Sequence, residues 1–186
     1  FALKAGGNAK KRAVALLRDA GVHEKDGFFA VIPRARWATK LWADERFVEA
    51  AKRISADTGL VALLIGGTSD VKSLDEMRAA IGGRAASLAG RTDLLELAEV
   101  LRLSRCVVTV DSGPMHLAAA VGARVVALFG PTAANRTGPY GKGHRVVRKG
   151  LACSPCFRRR CPDARCMMEI TVDDVVRAVE EVLKER

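Results

Sequence analysis

The sequence predicts an α/β fold with a doubly wound parallel sheet, and two observations support this prediction. Apolar runs rich in β-branched residues alternate along the chain with segments whose apolar residues recur at helical spacing. Most of the apolar runs are continuous, without a polar residue at every second position, as in strands that are buried on both faces. Because parallel strands are joined by right-handed crossovers, helices should cover both faces of a Rossmann-like sheet.

The first half of the chain supplies three predicted strands and four predicted helices. Helices are expected where apolar side chains recur at helical spacing before a glycine. The first three span residues 9–20, 44–56 and 70–81. Strands are expected at the apolar runs. They span residues 28–32, 60–65 and, more weakly, 85–89. Thr92 is expected to cap the fourth helix, which ends near residue 103.

The second half of the chain is organised around residues 107–130, which predict a strand, a tight turn, a short helix and a further strand. Pro114 suits the first position of that short helix. Beyond this stretch the periodicity lapses, except for an edge strand expected at 144–148. A closing helix follows a capping box formed by Thr171 and Asp174.

The domain organisation follows from length and composition. Residues 1–186 are predicted to form one domain, because a chain of 186 residues with 49% hydrophobic residues can bury one full core. Residues 1–8 are interpreted as a polar linker from an absent N-terminal domain, 150–170 as a loop rich in Cys and Arg, and 171–186 as the closing helix.

Five loops follow the carboxyl ends of the predicted strands, where ligands of such sheets bind. They span residues 33–40, 66–70, 90–92, 111–113 and 130–132. All but the first contain glycine, which lets a ligand approach the backbone. Lys40 and the hydroxyls of Ser112 and Thr132 can meet phosphate oxygens, and Asp70 can accept a hydrogen bond from a ribose hydroxyl. Free N–H groups at the helix start near Gly113 favour an anion, so the loops predict a nucleotide-diphosphate ligand.

Motifs that the sequence lacks argue against several enzyme classes. There is no G-x-G-x-x-G of hydride-transfer enzymes, no G-x-x-x-x-G-K-[ST] of P-loop ATPases and no G-x-S-x-G of hydrolases. Of three scattered histidines, only His116 falls within the candidate site. There it can donate a hydrogen bond to an anion, and a packed or capping role is the alternative.

The net charge of +10 is concentrated near the end of the chain. Between Lys142 and Arg165 there are eight Lys and Arg residues and one acid, Asp163, which together contribute +7. This patch indicates an anionic partner, namely nucleic acid, a phosphorylated glycolipid or a membrane surface, unless it is only a solvated loop. The sequence has no apolar run of the roughly 20 residues that cross a bilayer and no signal-peptide pattern, so a soluble, cytoplasmic protein is expected.

Four of the five cysteines form the pattern C-x2-C-x4-C-x4-C. They are Cys153, Cys156, Cys161 and Cys166. The spacing matches a zinc knuckle with cysteine in the histidine position. Reduced structural thiols are nevertheless the favoured interpretation, because the segment lacks the glycines that let a knuckle fold tightly, and no metal site is predicted. Disulfides are not expected in a cytosolic protein.

The run DSGPMHLAAAVGARVVALFGPT, followed by RTGPYG, is similar to the signature of the family 9 glycosyltransferases, the ADP-heptose:lipopolysaccharide heptosyltransferases. PRARWATKLW resembles the phosphate-binding loop of that family, and LIGGTSD and LAGRTDLLELAEVL match its next two segments. The tail CSPCFRRRCPDARCMMEI is similar to the cysteine-bearing end of many members. The resemblance implies the C-terminal, nucleotide-sugar-binding half of a two-domain GT-B enzyme.

The resemblance also implies roles for residues around the predicted turn. Lys40 would neutralise the donor diphosphate, and Asp111 would hold the sugar or its hydroxyls. Ser112 and Gly113 would offer backbone N–H groups to the phosphates, with His116 beside them.

The resemblance implies further donor-binding roles for residues in the loops after the first three strands. Asp70, where the family usually has glutamate, would bind the ribose, and Gly66 would allow close approach of the donor to the backbone. Residues around Thr92 would border the adenine. Arg34 stands where the family commonly has a small residue, so it would either add a diphosphate contact or partly block the loop.

The mechanism implied by the resemblance is inverting transfer of heptose from ADP-heptose to the lipopolysaccharide inner core, without a metal or other cofactor. The sequence holds no Asp-x-Asp motif for a divalent ion, and Lys40 and the helix N-terminus would stabilise the leaving diphosphate. No catalytic residue is expected here, because the base of the family lies in the N-terminal domain. That domain and an anionic, lipid-linked glycan at the inner face of the inner membrane would be the partners.

A nucleic-acid-binding module with a zinc knuckle is the alternative from another functional class. Such a module would not need five ligand-facing loops, and Phe157 is the lone aromatic residue of the basic segment. The sequence therefore favours a nucleotide sugar over nucleic acid as the ligand.

Overall fold

The structure, a computed structural model, describes residues 7–23 and 25–185, and six parallel strands form one sheet within them. The strands are β1 (Phe28–Ile32), β2 (Val61–Leu64), β3 (Ala85–Ser87), β4 (Val107–Val110), β5 (Val125–Phe129) and β6 (Arg145–Arg148). Their order across the sheet is β3-β2-β1-β4-β5-β6. The predicted α/β fold with a doubly wound parallel sheet is thus confirmed, and β6 is the expected edge strand.

Eight α-helices and two 3₁₀ turns connect the strands in the described residues. The helices are α1 (Gly7–Asp19), α2 (Asp44–Thr58), α3 (Val71–Ile81), α4 (Leu94–Leu103), α5 (Gly113–Ala120), α6 (Ala134–Thr137), α7 (Arg165–Met168) and α8 (Val172–Lys184). The 3₁₀ turns are Ala38–Lys40 and Thr68–Asp70. No helix of the described part is long and apolar enough to cross a membrane.

Two separate hydrophobic cores lie on the two faces of the sheet. Alternate side chains of β1 divide between them, Phe29 and Val31 on one face and Phe28, Ala30 and Ile32 on the other. Helices α2, α3 and α8 cover the first face, and α1, α4 and α5 cover the second. This double coverage explains the continuous apolar runs, because both faces of a strand such as β1 need apolar side chains.

The order of the strands places a topological switch point between β1 and β4. Val31 pairs with Val108 and Ile32 with Thr109 across these neighbouring strands. The chain continues from β1 to β2 on one side and from β4 to β5 on the other. The loops that leave β1 and β4 therefore diverge, and a crevice opens between them at the carboxyl edge of the sheet.

The loop after β1 is fixed to the far end of the chain. The Trp42 indole Nε1 donates a hydrogen bond to the Ile170 carbonyl oxygen at 3.0 Å, and the Trp42 ring packs edge-on against Phe47 at a centroid distance of 4.8 Å. Trp42 is only 2% exposed. The segment that carries Lys40 is thus held against the residue just before the closing helix.

The structure corrects the predicted start of helix α4. Asp93, not Thr92, is the N-cap: its side chain accepts a hydrogen bond from the Glu96 backbone N–H at 2.8 Å, while Glu96 accepts one from the Asp93 backbone N–H. This reciprocal capping box satisfies two N–H groups, whereas a lone threonine would satisfy one. The capping box of Thr171 and Asp174 at α8 was predicted correctly.

Other boundaries also differ from the sequence-based expectation. Gly7 and Asn8, placed in the predicted linker, lie in helix α1, and residues 1–6 lie outside the described residues. The expected loop 150–170 contains the single turn α7, and α6 follows β5. A helix of one turn has too few residues to show a helical period in the sequence.

Candidate functional site

A cavity of about 630 Å³ opens at the switch point between β1 and β4. Seven of the nine residues that the sequence assigned to a binding site line it. They are Arg34, Lys40, Asp70, Asp111, Ser112, Gly113 and His116. Their side chains come from loops that are far apart in the sequence, and the parallel sheet brings these loops to one edge.

A buried ion pair forms one wall of this cavity. Lys40 Nζ lies 2.7 Å from Asp111 Oδ2, and the two side chains are 16% and 5% exposed. The Thr132 hydroxyl also donates to Asp111 Oδ2, at 2.6 Å. The loops after β1, β4 and β5 therefore converge on one carboxylate. Because a carboxylate as buried as that of Asp111 needs polar partners, its contacts with Lys40 and Thr132 offset the cost of its burial.

The start of helix α5 presents backbone N–H groups at the same cavity. Ser112 is the N-cap residue, but its side chain forms no capping hydrogen bond, and its hydroxyl lies 3.3 Å from that of Thr109. Pro114 occupies the first turn, and the space around a Cβ at Gly113 is open. The N–H groups of this turn are thus left without a side-chain acceptor and, with the positive end of the helix dipole, suit an anion.

Arg34 is held at the wall of the cavity. Its guanidinium donates two hydrogen bonds to the carboxylate of Asp44, at 2.5 and 2.8 Å, and one to the Ser73 hydroxyl at 3.0 Å. The hydrogen bond with Asp44 raises the pKa of Arg34 above its ordinary value. The guanidinium is therefore fixed in orientation and charged, and Asp44 offsets part of its charge.

Asp70 shapes the loop after β2. Its Oδ2 accepts a hydrogen bond from the Gly67 backbone N–H at 2.8 Å, which closes the 3₁₀ turn. A Cβ on Gly66 would lie 2.5 Å from Leu74 Cδ1, so only glycine fits between the strand and α3. Gly66 thus has a packing role and, like Thr92, does not line the cavity.

Ala35, Ser69 and three larger residues also line the cavity, and none of these five was singled out from the sequence. Arg36 and Trp37 belong to the predicted phosphate loop 33–40, and Thr137 lies in the RTGPYG segment. Lys40 Nζ sits over the Trp37 ring, 4.5 Å from its centroid. The motifs contained the signal for all three residues, but only the fold shows that their side chains reach the cavity.

The basic, cysteine-rich segment packs beside this site. The Thr39 hydroxyl donates to the Arg158 carbonyl oxygen at 2.9 Å. The backbone N–H groups of Cys156 and Phe157 donate to the Pro131 carbonyl oxygen, and the Ser154 hydroxyl donates to that of Gly130. The segment is therefore tied to the loops after β1 and β5.

The four cysteines of this segment line a second cavity of about 330 Å³. All four are free thiols. Burial, followed by the neighbouring thiols, raises the pKa of Cys166 above its ordinary value. In the part of the chain that the structure describes, no group of three His, Cys, Asp or Glu side chains is gathered so that it could hold a metal ion. The four thiols thus line one common cavity in the structure.

Comparison with known proteins identifies the family of this chain. The family model for glycosyltransferase family 9 (heptosyltransferase) matches residues 2–166. Lipopolysaccharide heptosyltransferase 1 of Pseudomonas aeruginosa is 34% identical over 125 residues, which cover 67% of this chain and 35% of that protein.

Solved structures show the same fold. ADP-heptose lipopolysaccharide heptosyltransferase II of E. coli has a TM-score of 0.82 at 25% identity, covering 99% of this chain and 54% of that one. The E. coli heptosyltransferase WaaC with ADP-2-deoxy-2-fluoro heptose has a TM-score of 0.63 at 25% identity, covering 91% of this chain and 47% of that one. The chain thus spans about half the length of these structures.

Proposed function

The chain belongs to glycosyltransferase family 9, and we propose that it is the donor-binding domain of a heptosyltransferase. The observation that carries this proposal is the juxtaposition of the Lys40–Asp111 ion pair with the uncapped start of helix α5. A cation and a set of free N–H groups at a switch point suit a diphosphate. The relative WaaC, whose structure contains a fluorinated ADP-heptose, supports the choice of an ADP-sugar.

In this proposal the diphosphate of the donor lies between Lys40 and the first turn of α5. Negative charge grows on the diphosphate as the glycosidic bond breaks, and groups that are already oriented toward it lower the barrier. Lys40 supplies a full charge, and Gly113 and Met115 supply free N–H groups of the first helical turn. This arrangement needs no divalent ion to hold the phosphates.

The remaining contacts follow the geometry of the cavity. Asp111 lies at its floor and accepts hydrogen bonds from the sugar when Lys40 turns to the diphosphate. Asp70 lies on the wall next to Ser69 and binds the ribose. The loop around Thr92 lies outside the cavity lining, beyond Asp70, where the adenine extends.

The chemical step is inverting transfer of the heptose to the lipopolysaccharide inner core. The base and the acceptor site are assigned to an N-terminal domain, because the lining of this cavity offers only Asp70 and the paired Asp111 as carboxylates. The acceptor is an anionic, lipid-linked glycan, so we place the complete enzyme at the cytoplasmic face of the inner membrane as a peripheral protein.

Calorimetric titration with ADP, AMP and ADP-heptose tests the proposal. We expect one site per chain for ADP and ADP-heptose. AMP should bind at least about tenfold more weakly, because it lacks the second phosphate that Lys40 and α5 contact. Equal affinity for AMP and ADP, or no binding of any of the three, would contradict a diphosphate site.

A further inference from the structure

In the basic segment (residues 142–165) and in the nearby helix α6, some cations are paired with acids and others are not. Those on the side of the sheet edge and helix α8 are paired with acids: Arg145 with Glu181 and Glu185, Lys149 with Asp174, and Arg165 with Glu169. Among the described residues, Arg136, Arg158 and Arg159 have no carboxylate within salt-bridge distance. We call these three the rim arginines, because they lie beside the donor cavity without lining it.

The rim arginines are held in place by contacts with the donor site. The Arg159 guanidinium lies over the Trp37 ring, 4.9 Å from its centroid, and Lys40 lies over the same ring. The Thr39 hydroxyl holds the Arg158 backbone. Arg136 precedes the lining residue Thr137 and lies over the Phe157 ring at 5.5 Å. The fold therefore positions the guanidinium groups of Arg136 and Arg159, while Arg158 is held through its backbone and also lines the cavity of the four cysteines. All three residues are exposed.

The rim arginines carry more positive charge than the diphosphate of the donor requires. Lys40 and the first turn of α5 already face the place assigned to the diphosphate. Three further cations without acids repel one another, which destabilises the compact state unless an anion lies among them. Their position at the mouth of the cavity is where a second substrate must approach the transferred sugar.

We infer that the rim arginines bind the phosphate groups of the glycan acceptor. This inference rests on the proposed function, since it assigns the charged part of the second substrate to this chain. Exposed guanidinium groups bind phosphate monoesters with paired N–H donors and tolerate varied approach directions. The acceptor is thus selected for its phosphorylation by the donor domain as well as by its own domain.

The aromatic rings of this surface argue against nucleic acid as the anion. Binding of single strands uses aromatic faces on which bases stack. Here the Trp37 ring lies under Lys40 and Arg159, and the Phe157 ring lies under Arg136. Both rings are engaged by cations, so the surface offers charge without a stacking platform.

The test measures binding of the 186-residue chain to de-acylated, heptose-free inner-core glycan, before and after phosphatase treatment, by NMR titration. We expect the phosphorylated glycan to shift the amide signals of residues 156–160. Phosphatase treatment and the triple variant Arg136→Gln, Arg158→Gln, Arg159→Gln should each weaken binding about tenfold or more. Circular dichroism shows whether the triple variant is folded.

A matched variant separates a site from general electrostatics. Arg53→Gln, Arg84→Gln, Arg177→Gln removes the same charge from the chain, and none of these arginines contacts the donor site. It should change glycan affinity by less than about twofold, apart from a weak long-range effect. An equal loss in both triple variants would overturn the inference.

Two further measurements, of ADP binding and of DNA binding, complete the test. ADP affinity should be similar in the wild type and both triple variants; absence of ADP binding in all of them would instead contradict the proposed function. A single-stranded DNA oligomer of the same charge should bind more weakly than the phosphorylated glycan. If the DNA binds more tightly and displaces the glycan, the surface is a nucleic-acid interface and the inference is wrong.

Discussion

Side chains from three loops of the site meet at Asp111. This residue pairs with Lys40, and in the proposed function it also binds the sugar. Lys40 and Thr132 both contact Asp111 Oδ2. The ion pair gives the buried carboxylate a charged partner and holds the ammonium group at the cavity wall. In the proposed function, a diphosphate would compete with Asp111 for Lys40, which would couple donor binding to release of the Asp111 carboxylate toward the sugar.

The substitution Lys40→Met tests this coupling. It leaves Asp111, which is 5% exposed, without its charged partner, so the free energy of unfolding should fall by about 3 kcal/mol. ADP affinity should fall about 10- to 100-fold, as expected when a charged hydrogen bond is lost. Urea denaturation and calorimetry measure the two effects.

The double variant Lys40→Met, Asp111→Asn provides the control. Removing both charges should restore most of the stability, because an amide can still accept from Thr132 without a buried charge. ADP affinity should stay low. A double variant that regains ADP affinity would show that Lys40 acts through Asp111 and does not meet the diphosphate.

Contacts between side chains that lie far apart in the sequence could not be predicted from the sequence. The residues Lys40 and Asp111 were predicted as separate ligands, but their ion pair was not, because it depends on the adjacency of β1 and β4. The bidentate contact of Arg34 with Asp44 was missed for the same reason. For α4, Glu96 three residues after Asp93 was a local signal that could have identified the cap.

At the scale of elements, helix α5 is the feature that makes the crevice attractive to an anion. Its start lacks a side-chain cap, and Gly113 leaves open space in front of it. In a typical surface helix the side chain of the N-cap residue, here Ser112, would accept a hydrogen bond from these N–H groups. The missing cap leaves the N–H groups available to a ligand.

The substitution Gly113→Asp tests this element. A carboxylate at the helix start interacts favourably with the dipole and occupies the position of the diphosphate, so the helix should be as stable or more stable while ADP affinity falls at least about tenfold. The matched Gly113→Ala variant should keep ADP affinity within about threefold, since its Cβ meets nothing within 4 Å. Equal ADP affinity in both variants would place the phosphates elsewhere.

Helix α8 begins with a capping box formed by Thr171 and Asp174, and Asp174 is titratable. Burial alone would raise the pKa of Asp174, but hydrogen bonds from Lys149 and Thr171 lower it to about 2. A depressed pKa stabilises the fold above the unfolded-state value of 3.8, and this stabilisation is lost as the pH falls toward 2. The cap therefore matters at neutral pH and not in strong acid.

We accordingly expect Asp174→Asn to lower the free energy of unfolding by about 1–2 kcal/mol at pH 7. The difference between variant and wild type should shrink progressively below pH 4 and be small near pH 2. Urea denaturation across this pH range measures it. A difference that stays constant with pH would mean that the charge of Asp174 does not contribute.

At the scale of the whole molecule, the continuous apolar runs were sufficient to predict the sheet. Strands buried on both faces are the most distinctive pattern of this fold class, and all six predicted strands occur. The single turns α6 and α7 were missed because their form depends on contacts with the loops around them. The position of the basic segment against Thr39 and Pro131 could not be predicted from its composition.

The chain by itself should bind donor without transferring sugar. The cavity lining contains two carboxylates, Asp70 and Asp111. In the proposed function both bind the donor, so neither is left to act as the base. We expect release of ADP from ADP-heptose with an acceptor glycan to stay at the background rate. Efficient transfer by these 186 residues would show that the base lies within them.

The most direct test of the account is a crystal structure of this chain with ADP. We expect the diphosphate at the carboxyl edge between β1 and β4, with its oxygens within hydrogen-bond distance of Lys40 Nζ and of the backbone N–H groups of Gly113 or Met115. ADP bound elsewhere on the chain, or a diphosphate that contacts neither Lys40 nor the start of α5, would contradict the central claim.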